Sequence, residues 1–443
     1  MSKMYEIKSI IALALPLIAA FLAQKGMQFI DTFMMGWIGP EALAAGALGT
    51  SIFMTILVFC MGSLSATGVF IARAKGANND NDIQSSLQHG VCLALFLSLP
   101  CMIIIWFAPH ALLAIGENPQ VVNNTILLLH GLMWGFPGYL LFLVFREFIS
   151  AFSSTRIVMF VALSSIPLTF LSNYILIFGK YGFPQLGIAG IGYAGAIIMW
   201  FMFLCLLMYS RKHAILEKYI SFNQFKFDRA KFNDMLYIGI PSGTLLILES
   251  GMFLVAAILM GFLGVDALAS HQIAMQCASM AYSIPFALAM ATAILVGHAS
   301  GSKNIKQAKR FAFHGLAIGL ILTIILAIIF IFLPDKLINI FLTGDEQNYK
   351  EISQLAVSFL LIAALFQCFD GVQAIANGAL RGLRDTLVPM LLSIGCYWIV
   401  GVGSAYIFAF HTGLGAKGIW YGLTLGISSI GIILLLRLVN RLK

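Results

Sequence analysis

Apolar runs of about twenty residues or more recur along the whole chain, and short polar segments separate them. Runs of that length match the thickness of a bilayer's hydrocarbon core. The pattern predicts twelve spanning helices, at about 10–36, 44–72, 84–108, 119–148, 157–178, 188–210, 235–262, 266–297, 308–333, 349–379, 388–410 and 416–436. The longest and most charged connection, "SRKHAILEKYISFNQFKFDRAKFND" at 210–234, falls between the sixth and seventh runs. The expected class is an all-α polytopic membrane protein.

The two halves repeat. At a shift of 225 residues Pro16 falls on Pro241, Gly36 on Gly261, "GPEALAA" (39–45) on "GVDALAS" (264–270), and "QHG" (88–90) on "FHG" (313–315). Gly76 falls on Gly301 and Pro109 on Pro334. At a shift of 228 "LGIAGIGY" (186–193) meets "LGAKGIWY" (414–421). Paired Pro, Gly and His landmarks at one offset are hard to obtain from chance similarity between apolar helices. Six is an even number of spans, so the repeats enter the membrane from the same side and are parallel. A pseudo-twofold axis along the membrane normal with a cavity between the halves is expected. The expected organisation is an N-lobe at 1–209, a linker at 210–234 and a C-lobe at 235–443.

Composition agrees. Hydrophobic residues make up 60% of the chain and charged residues 10%, against roughly 25% charged in a soluble domain. The net charge of +8 raises the question of nucleic acid, and its distribution excludes that partner. With the N-terminus inside, 20 of the 26 Lys and Arg residues fall in cytoplasmic segments, and four (Lys180, Lys336, Lys350, Lys417) fall outside. This positive-inside asymmetry predicts that both termini are cytoplasmic. The seven cysteines form no CxxC pair, and nearly all lie in apolar runs, so neither a disulfide framework nor a zinc site is expected. No signal-peptide cleavage pattern precedes the first run, which is expected to stay as a span.

Three carboxylates lie well inside spans: Asp31, Glu249 and Asp370. A charge at the bilayer centre costs at least ~2.5–3.5 kcal/mol, so each needs a partner, a cavity, a proton or a cation. Polar stripes accompany them. Gln24, Gln28 and Asp31 follow i, i+4, i+7 spacing on helix 1, and Gln367, Asp370, Gln373 and Asn377 share a face of helix 10. Helix 8 offers Gln272, Gln276, Ser279 and Ser283, and helix 5 offers Ser165, Thr169, Ser172 and Asn173. Such stripes face inward, toward water or each other. Under the 225 shift Glu249 superposes on Gln24 and Asp31 on Ala256. Asp31 therefore lies about 10 Å further along its repeat than Glu249 does in its own. If helices 7 and 10 meet, Glu249 and Asp370 raise one another's proton affinity or hold a cation such as Na⁺. Lys25 is a mid-span lysine on a different face from Asp31.

The segments "FIDTFMMGWIGPEALAA" (29–45), "NYILIFGKYGFPQLGIAGIG" (173–192), "VDALASHQIA" (265–274), "FQCFDGVQAIANGALRGLRDT" (366–386) and "LGAKGIWYG" (414–422) resemble the multidrug and toxic compound extrusion (MATE) family, especially its NorM-like bacterial branch. The likeness covers nearly the whole chain. It implies a V-shaped, two-lobed bundle in the bacterial inner membrane, working as a monomer without a cofactor. The implied activity is export of cationic, amphipathic drugs and toxic organic compounds by antiport with H⁺ or Na⁺. It also implies that Asp31 is a proton- or drug-responsive site in the N-lobe with Thr169 and Asn173, flanked here by Gln24 and Gln28. Glu249 and Asp370 would form a C-lobe cation site, Na⁺ being the candidate metal, with Phe366, Gln373 and Gln276 nearby. Relatives often carry Asn where Thr169 stands and can carry Tyr where Phe366 stands; Phe can face a cation but donates no hydrogen bond.

The expected scheme is mutual exclusion: a proton or Na⁺ from outside neutralises the carboxylates and releases the cationic substrate. Proline kinks at Pro16 and Pro241 offer hinges, and the Met and Phe content suits an adaptable apolar cavity. A lipid-linked oligosaccharide flippase of the same superfamily is the alternative, but it would need buried Arg or Lys for pyrophosphate. An intramembrane enzyme is not expected, since no HExxH, GxSxG or Walker A sequence is present. The one DxD, Asp80-Asn-Asp82, is expected in a solvated turn between helices 2 and 3.

Overall fold

The computed structural model describes residues 3–114, 116–221, 225–341 and 349–443. Twelve helices among them are long and apolar enough to cross a membrane. We label them α1 (Met4–Ile38), α2 (Pro40–Gly76), α3 (Asp80–Leu113), α4 (Pro119–Ala151), α5 (Thr155–Phe178), α6 (Ile188–Lys212), α7 (Arg229–Leu263), α8 (Val265–Gly301), α9 (Ile305–Phe332), α10 (Tyr349–Gly382), α11 (Leu387–Phe410) and α12 (Ala416–Arg441). Each expected run lies within or nearly within one of them. Several helices extend a turn or more past the apolar run, because a polar helix end still satisfies its own backbone in the interfacial region.

The repeat is written in the backbone as well as in the side chains. Gly39, the single residue between α1 and α2, has φ 140° and ψ 173°. Gly264, 225 positions on and between α7 and α8, has φ 121° and ψ 167°. A side chain is strained at such a φ, so glycine is what makes each one-residue corner possible. The same recurs at the 228 shift, where Gly187 (φ 55°, ψ −130°) and Gly415 (φ 55°, ψ −136°) precede α6 and α12.

The chain packs as two units, Leu15–Gly243 and Met1–Ala14 with Thr244–Lys443. The divisions fall inside α1 and α7, next to Pro16 and Pro241, the prolines that the 225 shift superposes. Each unit thus holds the opening segment of the other repeat's first helix.

Within the units, small residues let backbones meet. In the second, α8 and α10 approach so closely that a Cβ on Gly378 would lie 2.3 Å from the Ala289 carbonyl oxygen, and one on Gly382 2.6 Å from that of Ala293. In the first, the start of α7 rests on α2, with Gly243 against the Phe59 carbonyl. Lipid tails are as apolar as leucine, so helix association here rests on such close packing and on polar contacts. One polar contact is Asp385, after α10, which accepts from Arg437 Nε at 2.9 Å and Arg441 Nε at 2.8 Å on α12.

One expectation needs correction. Asp80 and Asp82 are solvated, as expected, but they open α3 rather than lying in a turn between helices, and they hold the linker. Asp80 accepts from Lys218 Nζ at 2.8 Å and from the Tyr219 hydroxyl at 2.5 Å, and Asp82 pairs with Lys231. An acidic first turn complements the positive end of the helix dipole, and basic linker residues complete the neutralisation. The Asp80 carboxylate in turn holds the Lys218 ammonium above its ordinary pKa. Residues 222–224 of the linker lie outside the described residues.

Candidate functional site

The polar positions gather in two places, one in each unit. In the first unit, Asn173 on α5 donates from Nδ2 to Asp31 Oδ1 on α1 at 2.7 Å. Asn173 is fully buried and Asp31 half-buried. The Oδ1 of Asn173 is buried without a protein hydrogen-bond partner among the described residues. The other expected members are near but turned elsewhere. Thr169, buried one turn before Asn173, donates back to the Ser165 carbonyl at 2.8 Å. Gln28 reaches the Met54 sulfur at 3.4 Å, and Gln24 and Lys25 are half-buried on α1. The pair Asp31–Asn173 is therefore what the structure joins by a hydrogen bond.

In the second unit, four helices contribute. Glu249 on α7 and Asp370 on α10 are 6% and 3% exposed, and each lies within reach of the other's charge. Glu249 is linked to α10 through Tyr397, a residue that the sequence does not single out. Gln373 on α10 donates to the Tyr397 hydroxyl at 2.7 Å, and that hydroxyl donates to Glu249 Oε2 at 3.4 Å. The Tyr282 hydroxyl on α8 is a further hydrogen-bond partner of Glu249. Phe366, one turn before Asp370, is buried between Phe253 (ring centroids 6.0 Å) and Trp420 (6.1 Å). Gln276 is exposed on α8, and the hydrogen bond described there runs from Ser279 to its carbonyl.

Tyr397 reaches Glu249 from an unusual backbone. Residues Ile394–Val402 of α11 form a π-helix, whose wider turn re-aims side chains and often marks functional sites. In sequence, Tyr397 is one of two aromatics in "IGCYWIVG", in a chain that carries 36 Phe and 13 Tyr. Its hydroxyl in an apolar run is the signal that could have singled it out.

The second site is rich in oxygen and poor in satisfied hydrogen bonds. Asp370 Oδ1, Gln373 Oε1 and both polar atoms of the Gln367 side chain are buried without a protein partner among the described residues. A buried polar group left unsatisfied costs about 1–3 kcal/mol, so this pocket favours a proton, water or a small cation. Among the described residues no group of three or more His, Cys, Asp or Glu is positioned for a metal. A cation here would rest on two carboxylates with amide and phenolic oxygens, the hard-oxygen donor set that suits Na⁺ better than a transition metal.

A fold of two parallel six-helix repeats with carboxylates buried in each defines a membrane transporter of the secondary type. The MatE family model matches this chain twice, over residues 16–175 and 241–407. The two matches begin 241 − 16 = 225 residues apart, the offset of the repeat. The chain is 37% identical over 428 residues to the "probable multidrug resistance protein NorM" of Pseudomonas aeruginosa, covering 96% of this chain and 88% of that one. The protein of the same name in Pseudomonas putida is 36% identical over 97% of this chain and 93% of its own length. Among solved structures, a MATE transporter in its bent conformation superposes with a TM-score of 0.89 at 20% identity, covering 100% of this chain and 98% of that one. The eukaryotic MATE transporter AtDTX14 superposes at 0.87 and 22% identity, covering 99% and 96%. This chain belongs to the MatE family.

Proposed function

We propose that this protein is a multidrug efflux antiporter that exports cationic, amphipathic compounds in exchange for H⁺ or Na⁺ by alternating access. The observation that carries the reading is the buried Glu249–Asp370 pair with its unsatisfied oxygens, in a chain whose relatives are named as multidrug resistance proteins. Such a pair gains affinity for a coupling ion from its own unmet electrostatics. Asp31, on the other unit, is the site where substrate or proton binds, held in place by Asn173. Thr169, Gln24 and Gln28 lie in the same region, and Phe366 and Gln373 flank the C-lobe cation site, with Gln276 exposed on α8. The lobes are 1–209 and 235–443, joined by the cytoplasmic linker 210–234, and the protein works as a monomer in the inner membrane with both termini inside.

The flippase alternative is disfavoured by its own requirement. Arg146, buried in α4, already carries its counter-charge beside it in Glu147 at 3.0 Å.

The test is reconstitution of the purified protein in liposomes with ethidium as substrate. An inward proton gradient and an inward sodium gradient are imposed separately. One of them is expected to drive saturable ethidium movement against its gradient. Downhill flux indifferent to both gradients would overturn antiport.

A further inference from the structure

The two repeats treat one groove in different ways. On α3, Gln84 and Gln88 donate to the Ser221 carbonyl at 2.8 and 2.7 Å, and His89 Nε2 accepts from the Asp228 amide at 2.9 Å. That groove is filled by linker backbone. The 225 shift carries Gln84, Ser85, Gln88 and His89 onto Lys309, Arg310, Phe313 and His314 of α9, and Asn81 onto Lys306. The histidine is kept, but neutral donors have become cations.

On α9 the groove is a recess of about 330 Å³ lined by Lys306, Lys309, Arg310, Phe313 and His314. Its volume lies at the low end of small-ligand pockets, roughly 300–1,000 Å³. One wall is fixed from below. Glu6 on α1 is 1% exposed, and its carboxylate meets His314 Nδ1 at 3.0 Å and Arg310 Nη1 at 3.7 Å. Of the three permanent cations lining the recess only Arg310 meets that carboxylate, so the recess keeps a net positive charge. Gln84, which reads a carbonyl oxygen in the first repeat, corresponds to the ammonium of Lys309, and Asn81 and Ser85 correspond to Lys306 and Arg310, groups suited to fully charged oxygens.

The neighbouring surface says where those oxygens come from. Continuing along α9 from Arg310 at helical spacing, Ala317, Ile321, Ile324, Ile328 and Ile331 are all exposed, which on a spanning helix is the lipid-facing side. The recess therefore opens at one membrane boundary onto the surface along which acyl chains lie. Basic pockets at this depth suit anionic headgroups. We propose that the α9 recess binds the phosphate of an anionic phospholipid, with Lys306, Lys309 and Arg310 on its oxygens and the acyl chains along the isoleucine face. The proposal needs α9 to span the bilayer; it does not depend on the coupling ion or the direction of transport.

The test uses the purified full-length protein, with retained lipid read by native mass spectrometry after addition of phosphatidylglycerol or phosphatidylcholine. The wild type is expected to retain phosphatidylglycerol selectively. Lys306→Gln with Lys309→Gln, both exposed and away from Glu6, is expected to weaken that retention about 30-fold, roughly fivefold for each interfacial lysine. The thermal unfolding midpoint should not change. Lys417→Gln, at the other end of the spanning helices, should behave as wild type, and excess inorganic phosphate should not displace the lipid. Equal retention of both lipids, an unaffected double variant, an equal loss in Lys417→Gln, or displacement by free phosphate would each overturn the proposal.

Discussion

Asp31 and Tyr397 show how much one atom decides. Asp31 accepts the Asn173 amide through Oδ1, a bond that an asparagine carbonyl accepts equally well. Asp31→Asn should therefore leave expression and thermal stability near wild type while removing the charge that a cationic substrate or a proton recognises. Ethidium efflux from cells is expected to fall at least about tenfold, since losing a charge-assisted contact costs roughly 1.5–3 kcal/mol. Undiminished, still pH-coupled export by this variant would remove Asp31 from the mechanism. Tyr397→Phe is the matching change in the second unit. It deletes the hydroxyl between Gln373 and Glu249 and leaves a buried amide donor unpaired, at about 1–3 kcal/mol. Ion-driven efflux in liposomes should drop roughly tenfold, with the ion concentration for half-maximal drive displaced. A drop in stability alone, with the ion dependence unmoved, would make Tyr397 a packing residue. Asp31, Glu249 and Asp370 were legible in the sequence because a carboxylate in an apolar run needs a reason. Tyr397 and Tyr282 were not, because phenols are ordinary in such runs and only the three-dimensional meeting gives them work.

At the scale of elements, glycines divide into those that permit contact and those that do not. Gly378 on α10 faces the Ala289 carbonyl of α8, where a Cβ would arrive at 2.3 Å, whereas Gly36 on α1 has nothing within 4 Å. Gly378→Ala forces two closely packed backbones apart and should destabilise the protein by about 1–3 kcal/mol, as overpacking does. Gly36→Ala should be neutral or slightly stabilising, because alanine is the better helix former. Thermal unfolding in detergent separates them; equal behaviour would show that the α8–α10 approach tolerates relaxation. The number and order of the helices could be read from apolar runs, since lipid leaves a spanning backbone few alternatives. The π-helical stretch of α11 could not. Nothing in "IGCYWIVGV" departs from an ordinary apolar helix, and the extra residue per turn is set by what α11 packs against. The helical start at Asp80 and Asp82 is hidden for a related reason: an acidic pair flanking Asn81 resembles a turn until the basic linker residues that neutralise it are placed.

At the scale of the whole molecule, the repeat makes the asymmetry of the two sites interpretable. Corners, prolines and helix order recur at a fixed offset, yet the carboxylates do not, so the two units share a scaffold and differ in chemistry. Their burial argues for a division of labour. Glu249 and Asp370, at 6% and 3% exposure, are too enclosed for a drug-sized molecule, and on the proposed reading they take a proton or a bare cation. Asp31 is only half-buried and can meet something larger. Single substitutions should then fail in different ways. Glu249→Gln is expected to retain ethidium binding within about threefold of wild type, since it leaves the first unit untouched, and to lose uphill transport under either imposed gradient. Asp31→Asn is expected to weaken ethidium binding about tenfold. Combining the two should weaken binding no more than about threefold beyond Asp31→Asn alone, because independent sites add and only one of them is expected to contribute. Fluorescence titration of ethidium on the three purified variants, run beside the liposome assay, reads both quantities. If Glu249→Gln weakens binding as much as Asp31→Asn does, the substrate and the coupling ion share one site, and the asymmetry of the carboxylates needs a different explanation.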